Sequence, residues 1–213
     1  MAKFLCIIPA RYASSRFPGK PLAKLGEKPM IQWVYEGASS LFEHLLVATD
    51  DPRIQNAVEK FGGNVQMTSP KHNSGTERCA EAAALYEDLK GIHFSHVVNI
   101  QGDEPLIKPE QLQALIDSFN APGTGIATLI RQMNETDELE NPNVVKVVVD
   151  QSFRALYFSR SPIPFVRSGR GDKESGNIKF YTHIGLYAFR REVLEQVVKL
   201  PPSSLEQAES LEQ

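Results

Sequence analysis

Phe4-Leu5-Cys6-Ile7-Ile8 runs directly into Pro9-Ala10-Arg11-Tyr12-Ala13-Ser14-Ser15-Arg16-Phe17-Pro18-Gly19-Lys20-Pro21-Leu22. Five consecutive apolar residues are the length of a fully buried strand. A buried strand that opens into a loop with two Arg, one Lys, two Ser and a Gly is built to hold an anion. Arg11 and Arg16 offer planar guanidinium forks that match phosphate oxygens, and Lys20 adds a compact point charge. Ser14, Ser15 and the loop's N–H groups fill further acceptor positions. The loop has no G-x-G-x-x-G, which removes the main support for a dinucleotide site.

Outward from this stretch, strands and helices alternate. Pro29 predicts a helix to about Ser40, with Met30, Ile31, Trp33, Val34 and Ala38 on its apolar side. Leu45-Leu46-Val47-Ala48-Thr49 reads as the second strand. Asp51-Pro52 is an N-cap followed by Pro at the first helical position, and Ile54, Ala57, Val58 and Phe61 then fall at helical spacing. Gly62-Gly63 stops that helix. A short strand is expected near Val65-Gln66-Met67. Ser74-Gly75-Thr76-Glu77 has capping-box spacing and opens a helix to about Asp88. His96-Val97-Val98-Asn99-Ile100 is another buried strand, and Pro109 starts a helix with Leu112, Leu115, Ile116 and Phe119 on one face.

After residue 124 the texture changes. Strand-like runs at 125–130, 144–149, 154–158 and 181–189 accompany one clear helix at 191–199. Residues 160–180 form a polar, Gly-, Pro- and Arg-rich excursion that suits a dimer contact. The expected fold class is α/β: a doubly wound, mostly parallel, Rossmann-like sheet with a mixed C-terminal half. A single domain is expected over 1–213, with a nucleotide-binding half at 1–123 and a second half at 124–213.

Hydrophobic content of 41% and charged content of 23% place the chain among globular proteins rather than disordered ones. It has neither a signal peptide nor the roughly 18 apolar residues in a row that a membrane span needs. The first thirty residues hold six Lys or Arg and one Glu, whereas the whole chain carries −3. Positive charge is therefore concentrated at one site, and no nucleic-acid-binding face is expected. Cys6 and Cys79 read as two buried thiols of a reducing compartment. Asn134-Glu135-Thr136 matches a glycosylation acceptor but means nothing without secretion.

Gln101-Gly102-Asp103-Glu104-Pro105 ends a buried strand, at the edge where open α/β sheets bind ligands. A carboxylate there, facing a cationic loop, suits Mg²⁺ shared with phosphate oxygens. Gly102 permits a sharp turn or a close approach to a ligand. Asp51 is explained as a cap, and Asp50 has no assigned role. Ser74 and Arg78 lie at a helix start that favours anions or carbonyl oxygens. Arg78 opposes the helix dipole, which points to a ligand contact; a surface Arg on a capped helix is the plain alternative. Taken alone, His183 inside a strand reads as structural, and Arg160 carries little signal.

Together these residues resemble the 3-deoxy-manno-octulosonate (Kdo) cytidylyltransferase family, with its nucleotide-diphospho-sugar transferase type of fold. The resemblance runs nearly end to end. It rests on the loop from Pro9 to Leu22, Ala48-Thr49-Asp50-Asp51, Ser74-Gly75-Thr76-Glu77-Arg78 and Asn99-Ile100-Gln101-Gly102-Asp103-Glu104-Pro105. Tyr157-Phe158-Ser159-Arg160, Ile163-Pro164 and His183-Ile184-Gly185-Leu186-Tyr187 extend it. It implies that CTP and Kdo give CMP-Kdo and pyrophosphate with Mg²⁺, for lipopolysaccharide synthesis, in a cytoplasmic homodimer.

By the same resemblance, Arg11, Ser14, Arg16 and Lys20 hold the triphosphate, with Lys20, Arg16 and Asp103 catalytic. Ala10 and Arg78 recognise cytidine, Ser74 joins the CTP site, and Asp103 binds the metal. Gln101, Arg160, His183, Tyr187, Glu212 and Gln213 take Kdo, with Arg160 suited to its carboxylate. Family members carry a further few dozen residues with a second metal carboxylate. On Asp103 and substrate oxygens alone, weak or no turnover is implied. Rival readings are a cytidylyltransferase for another acidic sugar such as sialate, and a silent nucleotide-binding protein. A glycosyltransferase would need an Asp-x-Asp spacing that Asp50-Asp51 and Asp103-Glu104 lack.

Overall fold

The computed structural model describes residues 3–13, 17–133, 136–167 and 178–211. In chain order its elements are β1 (Phe4–Ala10), β2 (Lys24–Leu25), β3 (Lys28–Pro29), α1 (Met30–Ser39), β4 (Leu45–Thr49), α2 (Pro52–Lys60) and β5 (Val65–Met67). There follow α3 (Gly75–Lys90), β6 (His96–Asn99), α4 (Pro109–Asp117), β7 (Ile126–Gln132), α5 (Thr136–Glu140), β8 (Lys146–Val149) and β9 (Ala155–Ser159). The last are β10 (Tyr181–Arg190), α6 (Arg191–Val197) and α7 (Ser204–Glu209). A 3-10 turn at Lys20–Leu22 follows the first loop.

Two compact units emerge: Met1–Ala127 with Gly185–Leu200, and Thr128–Ile184 with Pro201–Gln213. This division differs from contiguous halves at 1–123 and 124–213. Residues 185–200 return to the first unit because Tyr187–Arg190 of β10 pair antiparallel with β6.

In the first unit β5, β4, β1 and β6 lie side by side and parallel, followed by that antiparallel stretch of β10. Leu5, Ile7, Leu46, Ala48 and Val97 share one cluster with Cys79, Ala82, Ala83 and Tyr86 of α3. Strand side chains alternate, so Cys6 and Ile8 point to the other face. There α1 packs on β1 and β4 and meets α4. A parallel sheet needs this cover on both faces, which is why its strands read as unbroken apolar runs. Each fully buried aliphatic side chain stabilises the unit by roughly 1.5–3 kcal/mol. Cys6 and Cys79 are both buried. Burial, and then the neighbouring Cys79, push the Cys6 pKa well up.

Trp33 departs from its expected place on the apolar side of α1, being 39% exposed. Its indole N–H donates to the Leu25 carbonyl, and the Lys28 ammonium lies 5.0 Å from its ring centre. It thus covers the small β2–β3 hairpin instead of the core.

In the second unit β8 pairs antiparallel with β9 and with Tyr181 and Thr182 of β10. Helix α6 matches the one expected after residue 190, whereas α5 and α7 went unforeseen. The signal for α7 was present: Ser203 accepts from the Glu206 N–H and Glu206 accepts from the Ser203 N–H, a capping box directly after Pro201-Pro202.

Candidate active site

The C-terminal ends of β1, β4 and β6 reach one edge of the parallel sheet. Two segments of the first unit close there on Pro9 and Ala10. A Cβ on Gly102 would sit 3.0 Å from the Pro9 carbonyl oxygen and 3.7 Å from the Ala10 Cβ. A Cβ on Gly75 would sit 3.3 Å from the Pro9 ring. Gly102 thus serves close approach, and what it approaches is the backbone of β1, where the sequence had suggested a ligand.

The cationic loop is pinned at both ends. Gly19 donates its N–H to the Tyr12 carbonyl at 2.8 Å, with φ of +73°. Any Cβ there would meet the Tyr12 ring at 2.9 Å, so glycine is required on two counts. The Arg53 guanidinium stacks 3.3 Å over Tyr12 and pairs with Asp51, whose carboxyl it holds below the usual range. Asp51 also caps α2 through the Arg53 N–H. Arg11 is exposed at the exit of β1. Ser14 and Arg16 lie outside the described residues.

Lys20 and Asp103, 83 positions apart, form an ion pair at 2.5 Å. Both side chains remain open to solvent, at 37% and 46% exposure. The cation expected to hold a triphosphate and the carboxylate expected to hold a metal are therefore direct neighbours. A half-exposed pair of this kind contributes only about 0–1 kcal/mol, so ligands can exchange for it at little cost.

Ser74 caps α3 by accepting the Glu77 N–H at 3.1 Å. The return bond of the expected capping box is displaced by one residue, because the Glu77 carboxylate takes the Asn73 N–H instead. Ahead of it, Glu81 holds the entering chain through the Ser69 N–H at 2.8 Å and His72 at 2.5 Å.

Arg78 is not a surface residue. Its side chain is 4% exposed and pairs with Asp50 at 3.3 Å, while Nη1 donates to the Thr68 hydroxyl at 2.6 Å. Thr68 in turn donates to the Thr49 carbonyl at 3.2 Å. The dipole mismatch at Arg78 is thus answered by Asp50, and the two unexplained charges explain each other. Gln101 lies against Gly185, with 3.9 Å from its Cγ to an added Cβ there. Tyr187 stacks on Phe189 and packs against the α3 cluster.

In the second unit, His183 bonds the Thr128 hydroxyl through Nε2 at 2.8 Å and meets the Phe158 ring edge-on. Burial pulls its pKa down to about 4. Arg160 was expected to face the sugar's carboxylate. Three of its N–H donors go to the carbonyls of Glu209, Ser210 and Pro142, at 2.7, 3.1 and 3.0 Å. Glu212 and Gln213 lie outside the described residues. Among the described residues no group of three His, Cys, Asp or Glu side chains is placed to hold a metal. Nor is any helix among them long and apolar enough to cross a membrane.

The depressed His183 pKa has a testable consequence. The folded state binds this proton less well than the unfolded chain, so stability is flat above pH 6.5 and falls toward pH 4. Between pH 7.5 and 5 the loss at this residue is about 2 kcal/mol. His96 shifts the same way, through burial and then the Arg190 charge, and adds to the slope. Urea unfolding of His183→Gln across that range is expected to show a shallower decline than the parent; equal slopes would refute the assignment.

A family model described as cytidylyltransferase matches residues 5–213. The chain is 52% identical to a 3-deoxy-manno-octulosonate cytidylyltransferase of Parabacteroides distasonis, covering 100% of this chain and 85% of that protein. It is 51% identical to the protein of that description from Thermodesulfovibrio yellowstonii, with 98% and 84% covered. A solved structure of CMP:2-keto-3-deoxy-manno-octonic acid synthetase complexed with CTP superposes with a TM-score of 0.86 at 43% identity, covering 100% and 84%. A cytidylyltransferase from Leptospira borgpetersenii, at 19% identity, TM-score 0.58 and coverage of 97% and 68%, shares the fold.

Proposed function

The chain belongs to the Kdo cytidylyltransferase family, and from that premise we propose that it joins CTP and Kdo into CMP-Kdo with release of pyrophosphate. The likenesses favour Kdo over sialate and an enzyme over a silent nucleotide binder. The observation that carries the reading is the Lys20–Asp103 pair at the ligand edge of the sheet.

The sugar's anomeric hydroxyl attacks the α-phosphorus in line, and negative charge grows on the phosphate oxygens. Catalysis is then mainly positioning and electrostatic stabilisation. Lys20 and Arg11 supply fixed positive charge to those oxygens, with Ser14 and Arg16 assigned alongside them on the resemblance. Ala10, Ser74 and Arg78 remain the proposed cytidine and nucleotide contacts, Arg78 from a position locked by Asp50. Gln101, Arg160, His183, Tyr187, Glu212 and Gln213 remain the proposed sugar ligands. His183 serves as a neutral imidazole at physiological pH, because burial disfavours its cation.

Magnesium is the proposed cofactor, and Asp103 fits it: a half-exposed carboxylate offers the hard oxygen donor such an ion shares with phosphates. Bound there, it would polarise the α-phosphate and neutralise the leaving pyrophosphate. A homodimer is proposed through the second unit, whose edge strand β9 and its surroundings expose Leu156, Phe153 and Phe165, the last at 88%. A cytoplasmic place in lipopolysaccharide synthesis is proposed on the family premise.

Pyrophosphate release from CTP tests the reading. Kdo is expected to support a rate at least ~100-fold above that with sialate. Release with sialate alone would overturn it.

A further inference from the structure

A charged network in the second unit remains without a role. Lys146 is fully buried, and its ammonium donates to the carbonyls of Asn141 at 3.0 Å, Val144 at 2.7 Å and Arg160. Three donors meet three acceptors, so the ion is satisfied although burial lowers its pKa. On the other side of the same residue, the Glu209 carboxylate accepts the Arg160 N–H at 2.9 Å. It also accepts from the Ser159 hydroxyl at 2.6 Å and the Tyr157 hydroxyl at 3.1 Å. The Arg160 main chain is thus clamped, a carboxylate on its N–H and an ammonium on its carbonyl. Its guanidinium returns the contact through the Glu209 and Ser210 carbonyls.

Apolar packing does not explain what holds α7 in place. None of its side chains is buried, and Leu205 is 58% exposed. The helix is fastened at its last residue, by Glu209 and Arg160. Hydrogen bonds to charged groups are the strong ones, and here they set the Arg160 fork.

We infer that Glu209, backed by Lys146, is a positioning residue for the sugar acid, acting through Arg160. The inference rests on the reading that Arg160 serves Kdo. Among the described residues three of the five guanidinium N–H donors go to carbonyls, which fixes the direction in which the other two are offered to a substrate carboxylate in this proposal. The Glu209 carboxylate is engaged by the Tyr157 and Ser159 hydroxyls and the Arg160 N–H, which is what makes it an orienting group in this proposal.

The test uses the full chain and the variants Glu209→Ala and Glu209→Gln. Kdo and CTP are varied separately, and amide hydrogen exchange is followed without substrate. Glu209→Ala is expected to raise the Kdo KM about tenfold, with the CTP KM within about twofold and melting unchanged. Exchange at 159–161 and 209–211 is expected to quicken about tenfold. Glu209→Gln should recover most of both, since its amide oxygen still accepts from Ser159 and Arg160. An unchanged Kdo KM, unchanged exchange, or equal shifts in both KM values overturns the inference. Wild-type enzyme without Kdo-dependent turnover would instead remove the functional reading, a result visible before any variant is compared.

Discussion

Lys20→Met is expected to lower kcat about 10²–10³-fold, the usual loss when one preorganised charge donor is removed from a developing oxyanion. The ammonium already stands at the ligand edge, held 2.5 Å from Asp103 in the absence of substrate. A triphosphate offers it a denser negative charge than one carboxylate does, and the growing charge at the α-phosphate strengthens that preference as the reaction proceeds. Because the pair is half-exposed, folding loses no more than about 1 kcal/mol, and the melting temperature should hardly move. Lys20→Arg is not expected to rescue, since a planar fork cannot replace a point charge in a turn locked by Gly19 and Tyr12. Single-turnover measurement with saturating CTP and Kdo decides it. A kcat within threefold of wild type would remove Lys20 from catalysis.

Arg78→Met is expected to destabilise the protein by about 3–5 kcal/mol, the range for removing one partner of a buried ion pair. The loss leaves the Asp50 carboxylate, 20% exposed, without its cation, and the Thr68 hydroxyl without its donor. Against a total of about 5–15 kcal/mol this is a large fraction, so urea midpoints should drop clearly. The double variant Asp50→Asn with Arg78→Met is expected to regain part of the loss, because no unpaired charge then stays inside. A midpoint for Arg78→Met within about 1 kcal/mol of the parent would show that the pair is solvated and dispensable.

These two residues also show how far sequence reading reached. Lys20 was legible because a Gly-Lys pair after a buried strand and two Arg has few other physical uses. Arg78 was legible only as a conflict: a cation in the first turn of a helix opposes the dipole, and nothing nearby in sequence resolves it. The resolution sits at Asp50, on another strand end, and it changes Arg78 from a surface residue into a buried one. Arg160 carried little signal in the sequence, and the main-chain carbonyls that take three of its donors are revealed by no side-chain pattern.

Strand and helix order, the capped starts at Asp51 and Ser74, and the cationic loop after β1 follow from the chain alone. Apolar periodicity, capping residues and turn glycines act within a few positions, so they can be read locally. The Lys20–Asp103 pair, the Asp50–Arg78 tie, the buried Lys146 and the Glu209 clasp were settled only by tertiary structure. Each joins groups whose separation in space is decided by how strands align, and a charge carries no mark in sequence of which opposite charge will face it.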